Sequence, residues 1–167
     1  MTEYKIRNAI VLDIGTVKHL YQSVIGQIGC AWNDKYPSSE DLMNDYKSGG
    51  LYVFCDKYNV IGAVSVVPEN ELDDIECWTS NDENHKEIAR VVISPKHQGN
   101  GYSKEMLSQL FSLLSQQGCK SIRLLVSKNN PSAIKLYKSL GFDFLGECFR
   151  YEQSFFICEK QLTNTTN

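Results

Sequence analysis

The sequence contains no run of about 18 apolar residues, which is the length that a membrane-spanning helix requires. Its first residues also lack the apolar segment of a signal peptide. A surplus of basic residues is missing too, because the 167 residues carry a net charge of −3, whereas domains that bind nucleic acid usually carry a basic patch or stripe. We therefore expect a cytoplasmic protein whose partners include neither a membrane nor a nucleic acid.

Paired cysteine motifs are absent as well. No C-x-x-C occurs, and three of the six cysteines lie inside apolar runs, where free cysteine is commonly buried. We interpret all six as reduced core residues, and their spacing indicates no metal site. They are Cys30, Cys55, Cys77, Cys119, Cys148 and Cys158.

The composition that remains is that of an ordinary globular domain, with 42% hydrophobic, 11% aromatic and 22% charged residues. A chain of this length is expected to form a single domain, over residues 1–162. The polar residues 163–167 are expected to form a disordered tail.

Hydrophobic periodicity predicts that the chain begins with a strand and two helices. Tyr4–Leu12 is predicted as the first strand, and Asp13 as the N-cap of a helix that extends to Ile28 and ends at Gly29. The run Ser38–Asp41 has the serine and acidic residues that begin a second helix.

The rest of the chain has the pattern of a hairpin followed by alternating strands and helices. The predicted order is β-α-α-β-β-β-α-β-α-β-β, which indicates an α/β fold: a mixed sheet with helices on both sides, in three layers. The later predicted strands cover 51–55, 60–67, 87–93, 122–126, 142–149 and 154–160, and the later predicted helices cover 104–117 and the stretch after Asn130.

A glycine-rich turn, Gln98–Ser103, lies between a predicted strand and a predicted helix and reads Gln-Gly-Asn-Gly-Tyr-Ser. Glycines let several main-chain N–H groups approach one ligand at the positive end of a helix dipole, so the turn is typical of a phosphate site. A Rossmann motif would need a third glycine at Lys104, and a P-loop would need four residues between its glycine and a Gly-Lys pair, so neither describes it. A plain tight connection is the alternative.

A second motif occupies residues 130–142, which read Asn-Pro-Ser-Ala-Ile-Lys-Leu-Tyr-Lys-Ser-Leu-Gly-Phe. They match the pattern N-x-x-A-x-x-L-Y-x-x-x-G-F, and Gln98–Ser103 matches Q/R-x-x-G-x-G/A except at Ser103. Serine is small there, and its hydroxyl could add a phosphate contact. In this order of elements, the two motifs resemble the GNAT superfamily of acyl-CoA-dependent N-acetyltransferases, over nearly the whole chain.

The resemblance implies how acetyl-CoA binds. Gln98 is the first position of the turn motif, or a glutamine that only orders the turn, and Lys104 lies nearby. The pantetheine arm would pair with the main chain of Val91 and Ile93 on the fourth strand, while Val92 faces the core by alternation. No metal is implied. The main-chain N–H groups that would hold the pyrophosphate belong to Gly99, Asn100, Gly101, Tyr102 and Ser103.

Tyr137 lies seven residues after Asn130, on the same face of the predicted helix. The resemblance implies that Tyr137 is the general acid that protonates the departing CoA thiolate, and that the Asn130 side chain contacts the cofactor. A phenol with a pKa of about 10 can protonate a thiolate with a pKa of about 8.5 only if it is held close. The alternatives are a core tyrosine beside Ile134 and Leu140, and an asparagine that only caps the helix.

The general base is the harder assignment. Some relatives place a glutamate on the fifth strand, at a position where this chain has Leu125. Glu87, Glu76 and His85 are possible substitutes, or else solvated surface residues. Arg90 could pair with an acidic neighbour such as Glu87 or reach a carboxylate of the acceptor.

Trp32 and Tyr36 lie between the first two predicted helices, where relatives often line the acceptor pocket. Aromatic side chains suit an amphipathic amine. The alternative for Trp32 is that it closes the helical layer onto the core.

The sequence therefore predicts an N-acetyltransferase that moves an acetyl group from acetyl-CoA to a primary amine of a small molecule or peptide, by direct attack and without a covalent enzyme intermediate. One alternative is an acyl-CoA-binding sensor module without turnover. Another is an acetyltransferase for aminoacyl-tRNA, which the acidic net charge disfavours. Relatives often dimerise, so a homodimer is among the expectations.

Overall fold

The β-branched runs of the sequence form the strands of one central sheet. The computed structural model describes residues 2–68, 70–80 and 83–163, and within these residues the chain forms seven strands and four α-helices in the predicted order. Of the predicted tail, residues 164–167 lie outside the described residues. The elements are β1 (Lys5–Asn8), α1 (Ile14–Ser23), α2 (Ser39–Lys47), β2 (Leu51–Cys55), β3 (Val60–Val66), β4 (His85–Ile93), α3 (Tyr102–Gln116), β5 (Ser121–Ser127), α4 (Pro131–Ser139), β6 (Asp143–Arg150) and β7 (Gln153–Gln161).

The strands lie side by side in the order β1-β2-β3-β4-β5-β7-β6. Neighbouring strands are antiparallel except for β4 and β5, which are parallel. The parallel pair is short, because it extends only from His85 opposite Ser121 to Glu87 opposite Arg123. Beyond Glu87, β4 and β5 no longer pair within the described residues. The carboxyl-terminal halves of these two strands therefore separate, and a cleft opens between them.

Helices cover both faces of the sheet, as the element order predicts. Leu107 and Leu110 of α3 are fully buried on one face, together with Phe54 and Ile122 of the sheet. The opposite face is covered by α1 and α2 and has its own cluster, which includes Val17, Leu42, Val53, Ala63 and Val92. The amphipathic pattern of α3 is thus confirmed, and the molecule has three layers.

The beginning of α2 follows directly from its sequence. The Asp41 N–H donates to the Ser38 hydroxyl at 3.0 Å, and the Ser38 N–H donates to the Asp41 carboxylate at 2.8 Å. This reciprocal capping satisfies two main-chain donors that the helix itself cannot. The predicted helix start at Ser38 is confirmed.

The first predicted strand and helix are both too long. β1 ends at Asn8. The apolar residues 10–12, which are predicted as part of it, are exposed, and Val11–Asp13 form a 3-10 turn in which Leu12 is 82% exposed. The helix α1 ends at Ser23, and Ile28 is fully exposed. Glycines with positive φ, Gly26 and Gly29, interrupt the helical backbone after Ser23.

Asp13 caps the 3-10 turn before α1 and does not cap α1 itself. Its carboxylate accepts the Ile10 N–H at 2.8 Å and pairs with the Arg7 guanidinium at 2.7 Å, whereas no side-chain hydrogen bond caps α1. Burial by itself raises the pKa of Asp13. The hydrogen bonds from the Arg7 guanidinium and the Ile10 N–H lower the pKa by more than burial raises it, so the pKa is below its ordinary value. Asp13 therefore occupies the predicted N-cap position of α1, but its side chain caps the 3-10 turn instead of α1.

Asp13→Asn is expected to lower the free energy of unfolding by about 1 kcal/mol at pH 7, because a capping acceptor and an ion pair are weakened. A carboxylate whose pKa is depressed in the folded state stabilises the protein above its unfolded pKa of about 3.9 and loses this contribution as the pH falls through the folded value. The difference between the two proteins should therefore shrink below about pH 4. Urea unfolding at several pH values measures it, and exposed Asp143→Asn serves as the control. A difference that persists unchanged at low pH would contradict the assignment.

Candidate active site

The glycine-rich turn connects β4 to α3 and is ordered by its own side chains. Gly99 and Gly101 have φ values of 79° and 78°, which glycine adopts without a Cβ clash. The Asn100 amide donates to the carbonyls of His97 and Gln98, both at 3.2 Å. The Gln98 amide donates to the Ile93 carbonyl at 3.0 Å. The turn is therefore held against the end of β4.

The open side of this turn suits an anion. The first N–H groups of α3, at Tyr102, Ser103 and Lys104, have no acceptor within the helix, as at any helix start, and no side chain caps them. A Cβ placed on Gly99 or Gly101 would meet no atom within 4 Å, so the turn faces free space. These residues fit a pyrophosphate. The contact of Gln98 with Ile93 agrees with the alternative in which this glutamine orders the turn, and its contact with cofactor stays a prediction.

A β-bulge interrupts β4 where the strand leaves β5. Ala63 of β3 lies opposite Val92 and Ser65 lies opposite Ala89, so two residues of β4, Arg90 and Val91, lie opposite one residue of β3. Arg90 has a φ of 53°, in the left-handed region. A bulge of this kind bends a strand and increases its twist.

The side chains around the bulge alternate as predicted. Val91 and Ile93 pack on the face of α3 and α4, while Val92 is buried on the face of α1 and α2. Because β4 and β5 are not paired here in the described structure, the main chain of Val91 and Ile93 lies at an open strand edge. That edge can accept an extended ligand as an additional strand.

Arg90 is committed to a buried ion pair. Its Nε and Nη2 donate to the two carboxylate oxygens of Asp45 at 2.8 and 2.7 Å, and Asp45 is 1% exposed. The Ser65 hydroxyl donates to the same carboxylate at 2.5 Å. Burial by itself lowers the pKa of Arg90, but its hydrogen bonds to Asp45 raise it above the ordinary value. Arg90 therefore pairs with Asp45 rather than with Glu87.

Tyr36 reaches the same cluster from the loop between α1 and α2. Its hydroxyl accepts a hydrogen bond from Arg90 Nη1 at 3.2 Å, and the residue is 43% exposed. Trp32 in the same loop packs edge-on against Tyr21, with ring centroids 5.3 Å apart, and contacts the core beneath α1 and α2. The packing alternative for Trp32 is thus present, and the substrate roles of Tyr36 and Trp32 stay predictions.

Tyr137 is a buried tyrosine on α4. It is 7% exposed, and its ring meets Phe142 edge-on with centroids 5.4 Å apart. Burial raises the pKa of Tyr137 above its ordinary value, and the neighbouring Cys158 contributes in the same direction. The Cys158 thiol is itself fully buried, and burial raises its pKa to about 12. The core packing of Tyr137 is clear, and its role as an acid stays a prediction.

Asn130 begins α4 by accepting the Ala133 N–H at 3.1 Å on its side-chain oxygen. The capping alternative is therefore confirmed, while its contact with cofactor stays a prediction. The loop after α1 lies close by, because a Cβ on Gly29 would come within 3.2 Å of Asn130. The same loop contacts the glycine-rich turn, since Gln98 donates to the Gln27 side chain at 3.2 Å. Residues 26–30, which we call the bridging loop, thus touch both the turn and the start of α4.

Glu87 is not a solvated surface residue. It is 3% exposed, and its carboxylate accepts the main-chain N–H groups of Glu71 and Leu72 at 3.1 and 2.8 Å. Burial raises the pKa of Glu87, and the two N–H donors offset part of this rise. The contacts give Glu87 a structural task in holding the loop between β3 and β4, and its role toward substrate stays a prediction. His85, by contrast, contacts Asp73 through its ring at 3.0 Å.

A second group of residues near the site is not apparent from sequence patterns. Tyr151, at the tip of the β6–β7 hairpin, contacts the Glu71 carboxylate through its hydroxyl at 3.4 Å. Arg150 beside it donates to the Glu71 carbonyl and pairs with Asp74. Burial and Glu71 raise the pKa of Tyr151, with a smaller contribution from Tyr36. Tyr151 and Glu71 therefore meet although they come from two separate loops, and Tyr36 is within electrostatic range of Tyr151.

Two other kinds of site are absent from the residues that the structure describes. In ranges 2–68, 70–80 and 83–163, no helix is long and apolar enough to cross a membrane. Within the same ranges, no group of three or more His, Cys, Asp or Glu side chains is arranged to hold a metal ion. All six cysteines are unbridged, as predicted, but only Cys55, Cys119 and Cys158 are buried. Cys30 and Cys148 are half-buried and Cys77 is exposed, so the prediction of a core position is wrong for these three.

This chain is similar to known proteins both in sequence and in structure. The model of the Acetyltransferase (GNAT) family matches residues 17–142. Spermine/spermidine N(1)-acetyltransferase of Bacillus subtilis (strain 168) is 34% identical over 103 residues, which are 61% of this chain and 62% of that protein, less than two thirds of its length. A GNAT-family acetyltransferase structure from Streptococcus agalactiae has a TM-score of 0.82 at 18% identity and covers 98% of this chain and 99% of that one. The structure of yncA from Salmonella typhimurium with its cofactor acetyl-CoA has a TM-score of 0.72 at 21% identity, covering 99% and 98%.

The family match includes the cleft, the glycine-rich turn and all of α4. It therefore contains both motifs on which the resemblance was based. The chain belongs to the GNAT family of acetyltransferases.

Proposed function

We propose that this protein transfers an acetyl group from acetyl-CoA to a primary amine by direct attack in a ternary complex. The observation that carries the proposal is the combination of an open cleft between β4 and β5 with an uncapped, glycine-rich helix start at its end. An extended thioester with an anionic group at one end has the shape and charge that these two features accommodate.

The residues present fit acetyl-CoA as the donor substrate. Main-chain N–H groups of the glycine-rich turn would hold its pyrophosphate, with Lys104 nearby and exposed. The open edge at Val91 and Ile93 would pair with its pantetheine arm. Asn130, which begins α4 after β5, would contact the cofactor through its side chain. The co-substrate supplies the reactive acetyl thioester, and the protein supplies position and a proton.

Tyr137 would supply that proton to the departing thiolate. Its raised pKa keeps the hydroxyl protonated at neutral pH, but it also makes the phenol a weaker acid. The difference between the pKa of the phenol and that of the thiol is smaller in a buried site, because burial also raises the pKa of a thiol. For the neighbouring Cys158, burial raises the pKa to about 12. A thiolate released into similar surroundings is a stronger base than in water, so transfer from a buried tyrosine becomes feasible.

The acceptor class follows from the charges beside the bulge. Arg90 is already paired with Asp45, so it offers no free cation to an acceptor carboxylate. Glu71, together with the exposed aromatic side chains of Tyr36 and Tyr151, offers an anion and ring faces instead. We therefore propose an amine that carries a second positive charge and no carboxylate. The acceptor named for the Bacillus subtilis relative, spermine or spermidine, is of this class.

A thiol-release assay with acetyl-CoA and a panel of amines tests this function. Cadaverine and lysine form the sharpest pair, because they differ only in the carboxylate. We expect cadaverine and spermidine to be acetylated at least tenfold faster than lysine, as judged by kcat/KM. Preference for lysine would contradict the acceptor class, and tight acetyl-CoA binding without turnover of any amine would favour the sensor module instead.

A further inference from the structure

Arg90 has a backbone conformation that is unusual for its place. Among the described residues, three other than glycine have positive φ: Arg90, Tyr151 and Glu152. Tyr151 and Glu152 form the two-residue turn between β6 and β7, where such values are normal. Arg90 instead lies inside a strand, where side chains other than glycine rarely adopt this region.

The conformation of Arg90 is stabilised by contacts that its own side chain makes. The guanidinium forms two hydrogen bonds to Asp45 on α2, at 2.8 and 2.7 Å. Asp45 is fixed in turn by Ser65 on β3, the residue that pairs with Ala89 next to the bulge. The Asp45 and Ser65 side chains are buried, at 1% and 0% exposure, so the pair is closed off from solvent.

The bulge lies where the cleft begins. The last pair between β4 and β5 is Glu87 with Arg123, and the extra residue enters β4 at positions 90 and 91. Because a bulge bends the strand that carries it, the conformation of Arg90 sets how β4 diverges from β5. It also sets where the main chain of Val91 lies along the open edge.

We propose that Arg90, anchored by Asp45, is a positioning residue that holds the β4 bulge in the shape needed to bind acetyl-CoA. Arg90 acts through the backbone and not by touching either substrate. This inference rests on the proposed function, since acetyl-CoA is the ligand that the open edge would hold.

Substitutions at position 90 separate the backbone effect from the ion pair. Arg90→Ala and Arg90→Gly both leave Asp45 without the guanidinium, but only glycine adopts positive φ freely. We expect Arg90→Ala to weaken acetyl-CoA binding at least tenfold, measured by titration calorimetry, and Arg90→Gly to remain within threefold of the natural protein. Asp45→Asn should weaken binding as Arg90→Ala does, and Arg90→Gly combined with Asp45→Asn should restore it.

The rescue by glycine is the decisive result, because a loss caused by an unpaired buried charge or by general destabilisation would not be reversed by it. Circular dichroism and thermal unfolding show that each variant is folded at the temperature of titration. Equal affinities in Arg90→Ala and Arg90→Gly, whether both normal or both weakened, would overturn the inference. The binding measurement needs no acceptor. If the natural protein binds acetyl-CoA but acetylates no amine, the proposed activity is wrong, and these affinities still decide whether Arg90 is a positioning residue. If the natural protein does not bind acetyl-CoA, both proposals are wrong.

Discussion

Tyr137→Phe is expected to lower kcat for thiol release by about 100-fold or more, the usual contribution of a positioned general acid. Acetyl-CoA affinity should stay within threefold, because phenylalanine keeps the ring that packs against Phe142. Since the pKa of Tyr137 lies above its ordinary value of 10, the hydroxyl is protonated throughout the neutral range. The deficit of the variant should therefore be the same from about pH 6 to pH 9.

Tyr52→Phe is the matched control for this substitution. Tyr52 is also a buried tyrosine, 5% exposed, and it packs in the same core cluster, but it lies on β2, three strands away from β5, the strand that α4 contacts. Its variant should retain full activity. If Tyr137→Phe were as active as the natural protein at every pH, Tyr137 would be a core residue and another group would protonate the thiolate.

Gly101→Ala is expected to weaken acetyl-CoA binding at least tenfold. Gly101 has a φ of 78°, so a side chain strains the turn, and the added Cβ enters the free space that the turn faces. The strain itself costs about 1 kcal/mol of stability. Calorimetric titration with acetyl-CoA measures the affinity, and urea unfolding measures the stability.

Gly118→Ala provides the control at the opposite end of the same helix. Gly118 follows α3, has a φ of 93°, and also has no atom within 4 Å of an added Cβ. The two alanine variants should lose similar stability, but only Gly101→Ala should lose affinity. Equal affinities in the two variants would mean that the turn does not hold the pyrophosphate.

Much of the fold could be predicted because local chemistry agrees with the final structure. The predicted helix start at Ser38 depends on a capping pair three residues apart. The turn at Gln98–Ser103 likewise depends on two glycines with positive φ, and this requirement does not depend on how α3 packs against the sheet. Such features are encoded in a few consecutive residues, so reading the sequence is sufficient to find them.

The errors arose where contacts distant in sequence decide the outcome. Ile10, Val11 and Leu12 have the pattern of a strand, but β2 begins at Leu51, which already accepts the Ala9 N–H at 2.9 Å, so the residues after Ala9 have no strand partner in β2. Glu87 looks like a surface glutamate, and only the return of the loop at Glu71 and Leu72 makes it a buried acceptor.

The ion pair between Arg90 and Asp45 beside the bulge could not be predicted from the sequence either. Asp45 and Arg90 are 45 residues apart, and neither belongs to a motif. An arginine inside an apolar strand is the one signal of this pair in the sequence, because a buried charge needs a partner. Finding that partner required the packing of α2 against the sheet.

The bridging loop offers a practical way to observe the cleft. Gln27 contacts the glycine-rich turn, Gly29 lies against the start of α4, and Ile28 between them is fully exposed. A ligand that enters between β4 and β5, as proposed for acetyl-CoA, would change the surroundings of both contacts at once. A fluorescent reporter at position 28 would therefore sense occupancy of the cleft from outside, without replacing a residue that contacts the donor.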